Sequence, residues 1–348
     1  VAAATNPQGR FVGVDFNDKA LAVARAAAQS IGLNNVHFVH ADFAQFAQSN
    51  NLFFDFIACH GVWSWIAPNQ QHAILQLVTK SLKPRGLLYL HYMCHPGATQ
   101  MVPVQALLND LAKQLPGTSK QKLDAALAFA SQLDAAGAFV DQPQLSEKIR
   151  ALKHKDLGYL AHDFLTDHWS PQHSVDVHHL LAQARVTYLG SANALENLDN
   201  LSVPGGIQPL LSSLTSPALR ERVKDISRNQ HQRCDLFQRA PVVLKPADVL
   251  QQVDALRFQA LPNAPTSGSV IFRTPIGAIQ GPAEVFSPLL ERLAKGPATF
   301  AELRQLPAFS AALGRLSQSL QMLMWGGHAH PQRVDGLETP DQVNRLKI

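Results

Sequence analysis

The sequence predicts an α/β protein with a parallel sheet near its start, an all-α insertion in its middle and a small separate module at its end. The sheet is predicted because apolar, β-rich segments alternate with amphipathic segments over the first hundred residues, as in strands covered by helices on both faces. The insertion is predicted because apolar residues recur three and four positions apart over residues 101–173, with no strand signal. A proline-rich stretch at residues 261–269 sets off the final module.

The composition is that of a folded protein, with 46% hydrophobic and 16% charged residues. The net charge of +4 is modest for 348 residues, and no run of Lys and Arg forms a basic stripe, so we expect no nucleic-acid partner. The three cysteines are far apart and no stretch of about 18 apolar residues occurs, so we expect neither a cysteine metal site nor a membrane span. The first residues lack the pattern of a signal peptide. We therefore expect a cytoplasmic protein.

Strands and helices alternate over the first hundred residues. Their predicted order is strand 10–16, helix 18–33, strand 35–43, strand 53–61, helix 68–82 and strand 87–93. Ligands of such sheets bind outside the carboxyl ends of the strands. We therefore expect functional residues at the strand ends, which are Asp15, Asp42, His60 and Tyr92.

Two of these strand-end residues are acids with a definite chemical use. A carboxylate at Asp15 can accept two hydrogen bonds from a ribose diol. Asp42 can accept a hydrogen bond from the exocyclic amine of an adenine, with Phe43 against the adenine ring. The alternative is that each acid only caps the helix that follows it. Because the two acids end successive strands of one series, an adenosine site is the favoured interpretation.

The series VGVDFNDKALAVAR, VHFVHADF, FDFIACHGVWSW and LKPRGLLYLHYMCHPG resembles strands two to five of class I S-adenosylmethionine-dependent methyltransferases. The resemblance implies a Rossmann-like methyltransferase sheet and S-adenosylmethionine as the cofactor. It also implies that Asp15 binds the ribose hydroxyls and Asp42 the adenine, with Phe16 and Phe43 nearby. His60 and Gly61, after strand four, are implied to face the methionine part and the substrate.

The family pattern has one feature that this chain lacks. Its first strand and glycine-rich loop are not found before Arg10, whereas Val1 to Thr5 reads as the end of the helix that follows that loop. We therefore expect that residues are omitted ahead of Val1. Two other function classes stay open: a non-catalytic methyltransferase-like regulatory or binding protein, and a nicotinamide dehydrogenase. The antiparallel last strand that the family resemblance implies and the absence of a GxGxxG motif before Asp15 count against the dehydrogenase.

The middle of the chain resembles the helical regulatory domain of a bacterial methyltransferase group that includes protein-lysine methyltransferases. Its most specific stretches are HGVWSW, YLAHDFL and HWSPQH. The predicted core is residues 1–100 with 174–240, in which a helix leads to a strand at 186–191 and another follows at 230–240. Residues 101–173 are then a regulatory or lid insertion. The resemblance implies a protein or small-molecule methyl acceptor, with a lysine amine as one candidate.

Several aromatic and ionisable residues are candidates for the acceptor site. We expect direct SN2 transfer of the methyl group, in which the protein aligns the nucleophile and excludes water, with His60 or Tyr92 helping to deprotonate an amine. The crowded His and Asp residues between 162 and 179 have no metal-binding spacing such as HExxH, so we expect no metal site. The alternative for the tryptophans is simple packing of a loop over the sheet. The predicted pocket residues are Trp63, Trp65 and Tyr92 as an aromatic rim, and His162, Asp163 and Trp169 as lid residues.

Residues 241–348 form the last predicted unit. A short strand segment is followed by helix, turn, helix and a third helix that ends at Gly326, which is the order of a winged-helix-like domain. The third helix carries Leu316, Leu320 and Leu323, together with Met322. Because this segment is apolar and not basic, we expect it to dock against protein and not DNA.

Overall fold

The computed structural model describes residues 1–332. The last part of the predicted C-terminal unit, residues 333–348, lies outside the described residues. The strands are β1 (Phe11–Asp15), β2 (Val36–His40), β3 (Phe54–Cys59), β4 (Leu82–Met93), β5 (Val186–Ser191), β6 (Gln232–Arg239), β7 (Arg257–Ala260), β8 (Val270–Thr274), β9 (Gly277–Gly281), β10 (Ala298–Thr299) and β11 (Ala329–Pro331). The helices are α1 (Ala2–Thr5), α2 (Asp18–Ser30), α3 (Phe43–Ser49), α4 (Pro68–Ser81), α5 (Val102–Gln114), α6 (Ser119–Ala135), α7 (Pro143–Leu152), α8 (Leu157–Phe164), α9 (Ser174–Gln183), α10 (Asp199–Ser202), α11 (Gln208–Ser213), α12 (Pro217–Arg228), α13 (Pro246–Asp254), α14 (Ala283–Ala294), α15 (Phe300–Leu303) and α16 (Leu313–Trp325). The predicted α/β fold is confirmed.

The chain divides into two compact units. The first consists of Val1–Leu52, Asn193–Ser202 and the residues from Pro241 onward, and the second of Phe53–Ala192 and Val203–Ala240. The parallel strands are divided between the units. Strands β1 and β2 pair in the first unit, and β3 and β4 pair in the second. Among the described residues, neither β1 nor β3 hydrogen-bonds to a further parallel strand. The predicted series of parallel strands is therefore present as two separate sheets.

The first parallel pair is held by capping and by one asparagine. The side chain of Asn17 accepts hydrogen bonds from the first N–H groups of α2 and so begins that helix. Asn35 donates its amide hydrogens to carbonyl oxygens of Ala3, Asn6 and Gly9. This side chain thereby fastens α1 and the following turn to the start of β2.

The C-terminal part of the first unit has its own apolar core. Strands β10, β7 and β11 form an antiparallel sheet, β8 and β9 form a hairpin, and α15 begins with a capping box between Thr299 and Glu302. Leu195 and Leu201 from the segment before α11 belong to the same core, although the sequence places this segment in the methyltransferase core. The winged-helix-like description of this part stays a prediction.

The apolar residues of α16 do not form the docking surface that the sequence predicts. Leu316, Leu320, Met322 and Leu323 are all buried in the core of this part of the unit. Their spacing of three and four residues marks the side of the helix that packs inward. The expectation that these residues dock against another protein is therefore wrong.

The second unit is built on a mixed sheet in the order β3, β4, β6, β5. Strand β4 runs parallel to β3, and β6 runs antiparallel to both β4 and β5. Arg239 at the end of β6 donates Nη1 hydrogen bonds to the carbonyl oxygens of Val78 and Leu82. Val78 lies in the last turn of α4 and Leu82 is its C-cap, where a cation is favoured by the helix dipole.

Helices α5 to α8 form a separate apolar cluster within this second unit. Leu108, Leu123 and Ile149 are almost completely buried in it. The amide of Gln105 donates to the carbonyl oxygens of Phe164 and Thr166, so the end of α8 is held against α5. Over residues 1–332, we find no helix with both the length and the apolar character that crossing a membrane requires.

Candidate functional site

The carboxyl ends of β1 and β2 lie side by side. Asp15 is the register partner of His40, and the N–H of Ala41 donates to the carbonyl oxygen of Asp15 over 3.1 Å. Asp42 is two residues beyond that partner. The structure therefore brings the two predicted strand-end acids to the same edge of one parallel pair, as parallel pairing requires.

The carboxylate of Asp15 is only partly used by the protein. Its Oδ1 accepts the N–H of Asn17 over 2.8 Å, which closes a short Asx turn before α2. Among the described residues, no hydrogen bond reaches Oδ2. The neighbouring ring of Phe16 is 74% exposed, while His40 Nε2 is 2.9 Å from the Phe16 carbonyl oxygen. An acceptor oxygen and an open aromatic face thus lie at adjacent positions.

Asp42 caps α3, which is the alternative that the sequence left open. Its Oδ1 accepts the N–H of Gln45, and the side chain of Gln45 accepts the N–H of Asp42. This capping box uses one of the two carboxylate oxygens. No described group donates to Oδ2, and Phe43 is half-buried at the next position. Capping and ligand binding are therefore compatible at this residue.

The second unit carries a stack of rings at the end of β3. The ring of His60 lies 4.5 Å from the ring of His91, and its Nδ1 is 2.9 Å from the hydroxyl of Tyr89. The ring of Trp65 follows His91 at 6.3 Å. We call these four side chains, Tyr89, His60, His91 and Trp65, the ring column. The N–H of Gly61 donates to His91 Nδ1 over 3.0 Å.

The loop after β3 carries the two predicted tryptophans, and only one of them fits the predicted rim. Trp65 is half-buried and its Nε1 donates to Asp163 Oδ1 over 2.9 Å. Trp63 is fully buried and donates Nε1 to Gln172 Oε1 over 2.6 Å. The packing alternative therefore holds for Trp63. Its indole joins the loop to the segment before α9.

The three predicted lid residues lie in different environments. Asp163 contacts Trp65, and burial raises the pKa of its carboxyl despite the hydrogen bond from that indole. His162 is exposed at the end of α8. Trp169 is buried in the helical cluster, with its ring 6.0 Å from that of Phe164. Its indole packs against α8 and also interacts with Asp163, and a place for Trp169 in a substrate pocket stays a prediction.

Tyr92 is not available at an open strand end. It is fully buried and its hydroxyl donates to Asp235 Oδ2 over 2.7 Å. Successive side chains of a strand point to opposite faces, so Tyr92 lies on the other face of β4 from His91. Burial and the neighbouring Asp235 raise the pKa of Tyr92. The predicted help of Tyr92 in deprotonating an amine is therefore corrected.

Two residues of the ring column were not predicted. Tyr89 and His91 are two positions apart on β4, so their side chains lie on the same face of the strand. The signal was present in YLHY, where two polar rings are two positions apart in a strand. This signal can be interpreted only when the strand register is known: Cys59 pairs with Leu90, which brings His60 level with His91.

Over the described part of the chain, no three His, Cys, Asp or Glu side chains group as metal ligands.

Two family models match the chain. Residues 1–160 match a methyltransferase domain, and residues 156–239 match a predicted methyltransferase regulatory domain. Residues 1–239 are thus similar to a methyltransferase domain followed by its predicted regulatory domain. Strands β5 and β6 lie in the regulatory match, yet β6 pairs with β4 of the methyltransferase match. The two family matches therefore share one sheet.

Relatives extend the similarity over almost the whole chain. An uncharacterized Synechocystis protein, sll1526, is 31% identical over 332 residues, which are 94% of this chain and 65% of that protein. The chain thus spans about 65% of the length of this relative. An uncharacterized Rickettsia prowazekii protein, RP028, is 30% identical over 95 residues, or 27% of this chain and 38% of that protein. PKMT2 from Rickettsia typhi, solved with AdoHcy, shares the fold with a TM-score of 0.68 at 18% identity, covering 94% of this chain and 68% of its own.

Proposed function

We propose that this protein transfers the methyl group of S-adenosylmethionine to a nucleophile, with a lysine amine of a protein as the acceptor. The observation that carries the proposal is the pair of carboxylates of Asp15 and Asp42 at one edge of the β1–β2 pair. The methyltransferase family match and the AdoHcy in the related PKMT2 structure support it, since AdoHcy is the product left when S-adenosylmethionine loses its methyl group.

The residues at the β1–β2 edge fit an adenosyl group. Each of the two acids keeps one carboxylate oxygen without a hydrogen bond among the described residues, which suits the ribose diol at Asp15 and the adenine amine at Asp42. The open ring of Phe16 and the half-buried ring of Phe43 supply apolar contact beside them. When bound, S-adenosylmethionine supplies an electrophilic methyl carbon on a sulfonium. The four side chains hold and orient the nucleoside.

The residues after β3 are proposed to serve the acceptor. His60 has Nδ1 at the Tyr89 hydroxyl, so its Nε2 is the atom that can take a proton from an ammonium before attack. Gly61 is proposed to contact the methionine part with its backbone. Trp65 and the carboxylate of Asp163, which are joined by a hydrogen bond, offer an aromatic face and an anionic group to a cationic amine. His162 is an exposed residue of the proposed lid.

The domain roles are part of the same proposal. Residues 1–100 and 174–240 are proposed as the catalytic core and residues 101–173 as a regulatory or lid insertion. The C-terminal unit is proposed as an accessory module. We also propose a cytoplasmic location, where S-adenosylmethionine is available.

Donor binding is tested by calorimetric titration of the protein with S-adenosylmethionine and, separately, with NAD. We expect binding of the first alone, and binding of NAD alone would support a dehydrogenase. Asp15→Asn should weaken S-adenosylmethionine binding by about tenfold to a hundredfold, because a hydrogen bond to a charged group is lost. The matched control is Asp18→Asn, which removes an exposed carboxylate from the first turn of the adjacent helix and should leave the affinity unchanged.

Transfer is tested by incubating the protein with S-adenosylmethionine that carries a labelled methyl group and a bacterial protein extract. Mass spectrometry should then locate the label on lysine side chains. Label on another residue type would contradict lysine as the acceptor but would still support methyl transfer. Tight donor binding without any label would favour the non-catalytic alternative.

A further inference from the structure

The buried side chain of His91 contacts the loop after β3 in two ways. Its Nδ1 accepts the N–H of Gly61 over 3.0 Å. Its ring also lies nearly parallel to that of His60, with 20° between the planes and 4.5 Å between the centroids. One residue of β4 therefore holds both the side chain and the backbone of the His60–Gly61 pair.

The backbone at Gly61 needs such a contact. Gly61 has a φ of +66°, in the left-handed region that favours glycine. A Cβ atom at this position would meet nothing within 4 Å, so glycine is required here for conformation and not for space. The turn directs the Gly61 N–H towards β4, where His91 is its acceptor. Without that acceptor the Gly61 N–H would lose the hydrogen bond that ties this turn to β4.

The protonation state of His91 suits this role. An imidazole nitrogen accepts a hydrogen bond only when it carries no proton. Burial lowers the pKa of His91, and the nearby His60 lowers it further. The hydrogen bond at Nδ1 assigns the ring proton to Nε2, and the Gln232 side chain also interacts with the His91 imidazole. His91 is thus a neutral acceptor with a defined tautomer.

We infer that His91 is a positioning residue for methyl transfer: its Nδ1 fixes the Gly61 backbone, and this sets the direction in which His60 presents Nε2. The inference rests on the proposed function. His91 does not touch the reacting atoms. It acts through Gly61 and His60, as Tyr89 acts on the His60 ring from the other side.

Two substitutions separate the acceptor from the ring. His91→Phe keeps a flat ring of similar size and removes the acceptor, whereas His91→Asn places an amide oxygen close to the position of Nδ1 and removes the ring. The first readout is exchange of the Gly61 amide hydrogen, measured by NMR. We expect His91→Phe to accelerate this exchange by about tenfold, the factor that corresponds to the loss of one hydrogen bond. His91→Asn should stay close to the wild-type exchange rate.

The second readout is the initial rate of label transfer from saturating S-adenosylmethionine to the bacterial protein extract. His91→Phe should reduce this rate by about tenfold to a hundredfold, because small displacements of reacting groups are costly. His91→Asn should recover most of the loss. Circular dichroism confirms that each variant is folded.

The outcomes distinguish the inference from the proposed function. Wild-type exchange of Gly61 in His91→Phe would overturn the proposed contact, and fast exchange with an unchanged transfer rate would overturn the positioning role. Equal losses in both variants would assign the effect to the ring and also contradict the inference. A wild-type protein that transfers no methyl group would contradict the proposed function and, with it, the catalytic half of the inference. The exchange comparison would still test the Gly61 contact by itself.

Discussion

The two faces of β4 carry different kinds of side chain, and the polar groups of these side chains are paired more fully on one face than on the other. On one face, Tyr92 meets a buried charge cluster centred on Arg233, which is almost fully buried. On the other face, Tyr89 and His91 belong to the ring column, which reaches the exposed His60. Because successive residues of one strand alternate between the faces, a stabilising charge cluster and a candidate reactive site are built from adjacent positions.

The charge cluster joins two elements to the sheet. Arg233 on β6 contacts Glu221 over 2.7 Å and Asp225 over 2.5 Å, both on α12, and Asp235 over 3.0 Å on its own strand. Asp235 also accepts the Tyr92 hydroxyl, and His178 of α9 lies 2.9 Å from it. Each acid has a cationic partner. The difference between the faces predicts that substitutions in the cluster change stability, whereas substitutions in the ring column change transfer.

The largest expected effect is that of Arg233→Met on stability. Removing the guanidinium leaves the buried carboxylates of Asp225 and Asp235 and the partly buried carboxylate of Glu221 without their common partner, so the free energy of unfolding should fall by about 3–5 kcal/mol. Urea denaturation measures this loss. The matched control is Arg222→Met on the same helix as Glu221, whose ion pair with Asp176 at 3.6 Å is largely exposed and should contribute less than about 1 kcal/mol. Equal losses of unfolding free energy in the two variants would show that the buried cluster stabilises the protein no more than an exposed ion pair does.

Acid pH should weaken the same cluster through Glu221. Burial alone would raise the pKa of Glu221, but the ion pairs with Arg233 and Lys224 hold it at about 2, below its usual 4.5. A depressed carboxyl pKa contributes stability above the unfolded pKa, and this is lost as pH falls from about 4.5 through about 2, up to about 3 kcal/mol. Burial raises the pKa of Asp225, which acts in the opposite direction. Comparing Glu221→Gln with the wild type by denaturation across this window isolates Glu221, and parallel pH profiles would contradict the prediction.

On the other face, His60→Ala should change transfer and not stability. Loss of a proton acceptor at this position should lower kcat by about a hundredfold, since no other ring of the column is exposed in its place. The side chain is exposed and its ring contacts are with Tyr89 and His91 at the edge of the sheet, so the unfolding midpoint should stay close to that of the wild type. Steady-state kinetics with labelled S-adenosylmethionine measures the effect. An unchanged kcat would remove His60 from the mechanism.

The sequence predicted the ends of the parallel strands better than it predicted the two faces of β4. Asp15, Asp42 and His60 could be predicted because the ends of parallel strands follow a general rule, and the structure brings the two acids to one sheet edge. His91 could not, because its contact with Gly61 depends on the β3–β4 register and on the left-handed turn, neither of which is readable from residue types. The position of Tyr92 at a strand end predicts an open side chain, but the last residues of β4 still alternate between its faces. The apolar side of α16 is recognisable from its periodicity, but periodicity alone does not show whether that side packs inside the unit or against another protein.

The smallest expected effect belongs to Tyr92→Phe, which tests the division between the faces most directly. The substitution keeps the buried ring and removes only the hydroxyl that donates to Asp235 over 2.7 Å. A hydrogen bond to a charged group contributes about 2 kcal/mol, so the free energy of unfolding should fall by that amount. Because Tyr92 lies on the opposite face from His91, kcat should not change. If kcat fell while the variant remained fully folded, the charge cluster would also act on the reaction. The separation of stabilising and reactive roles between the two faces of β4 would then have to be abandoned.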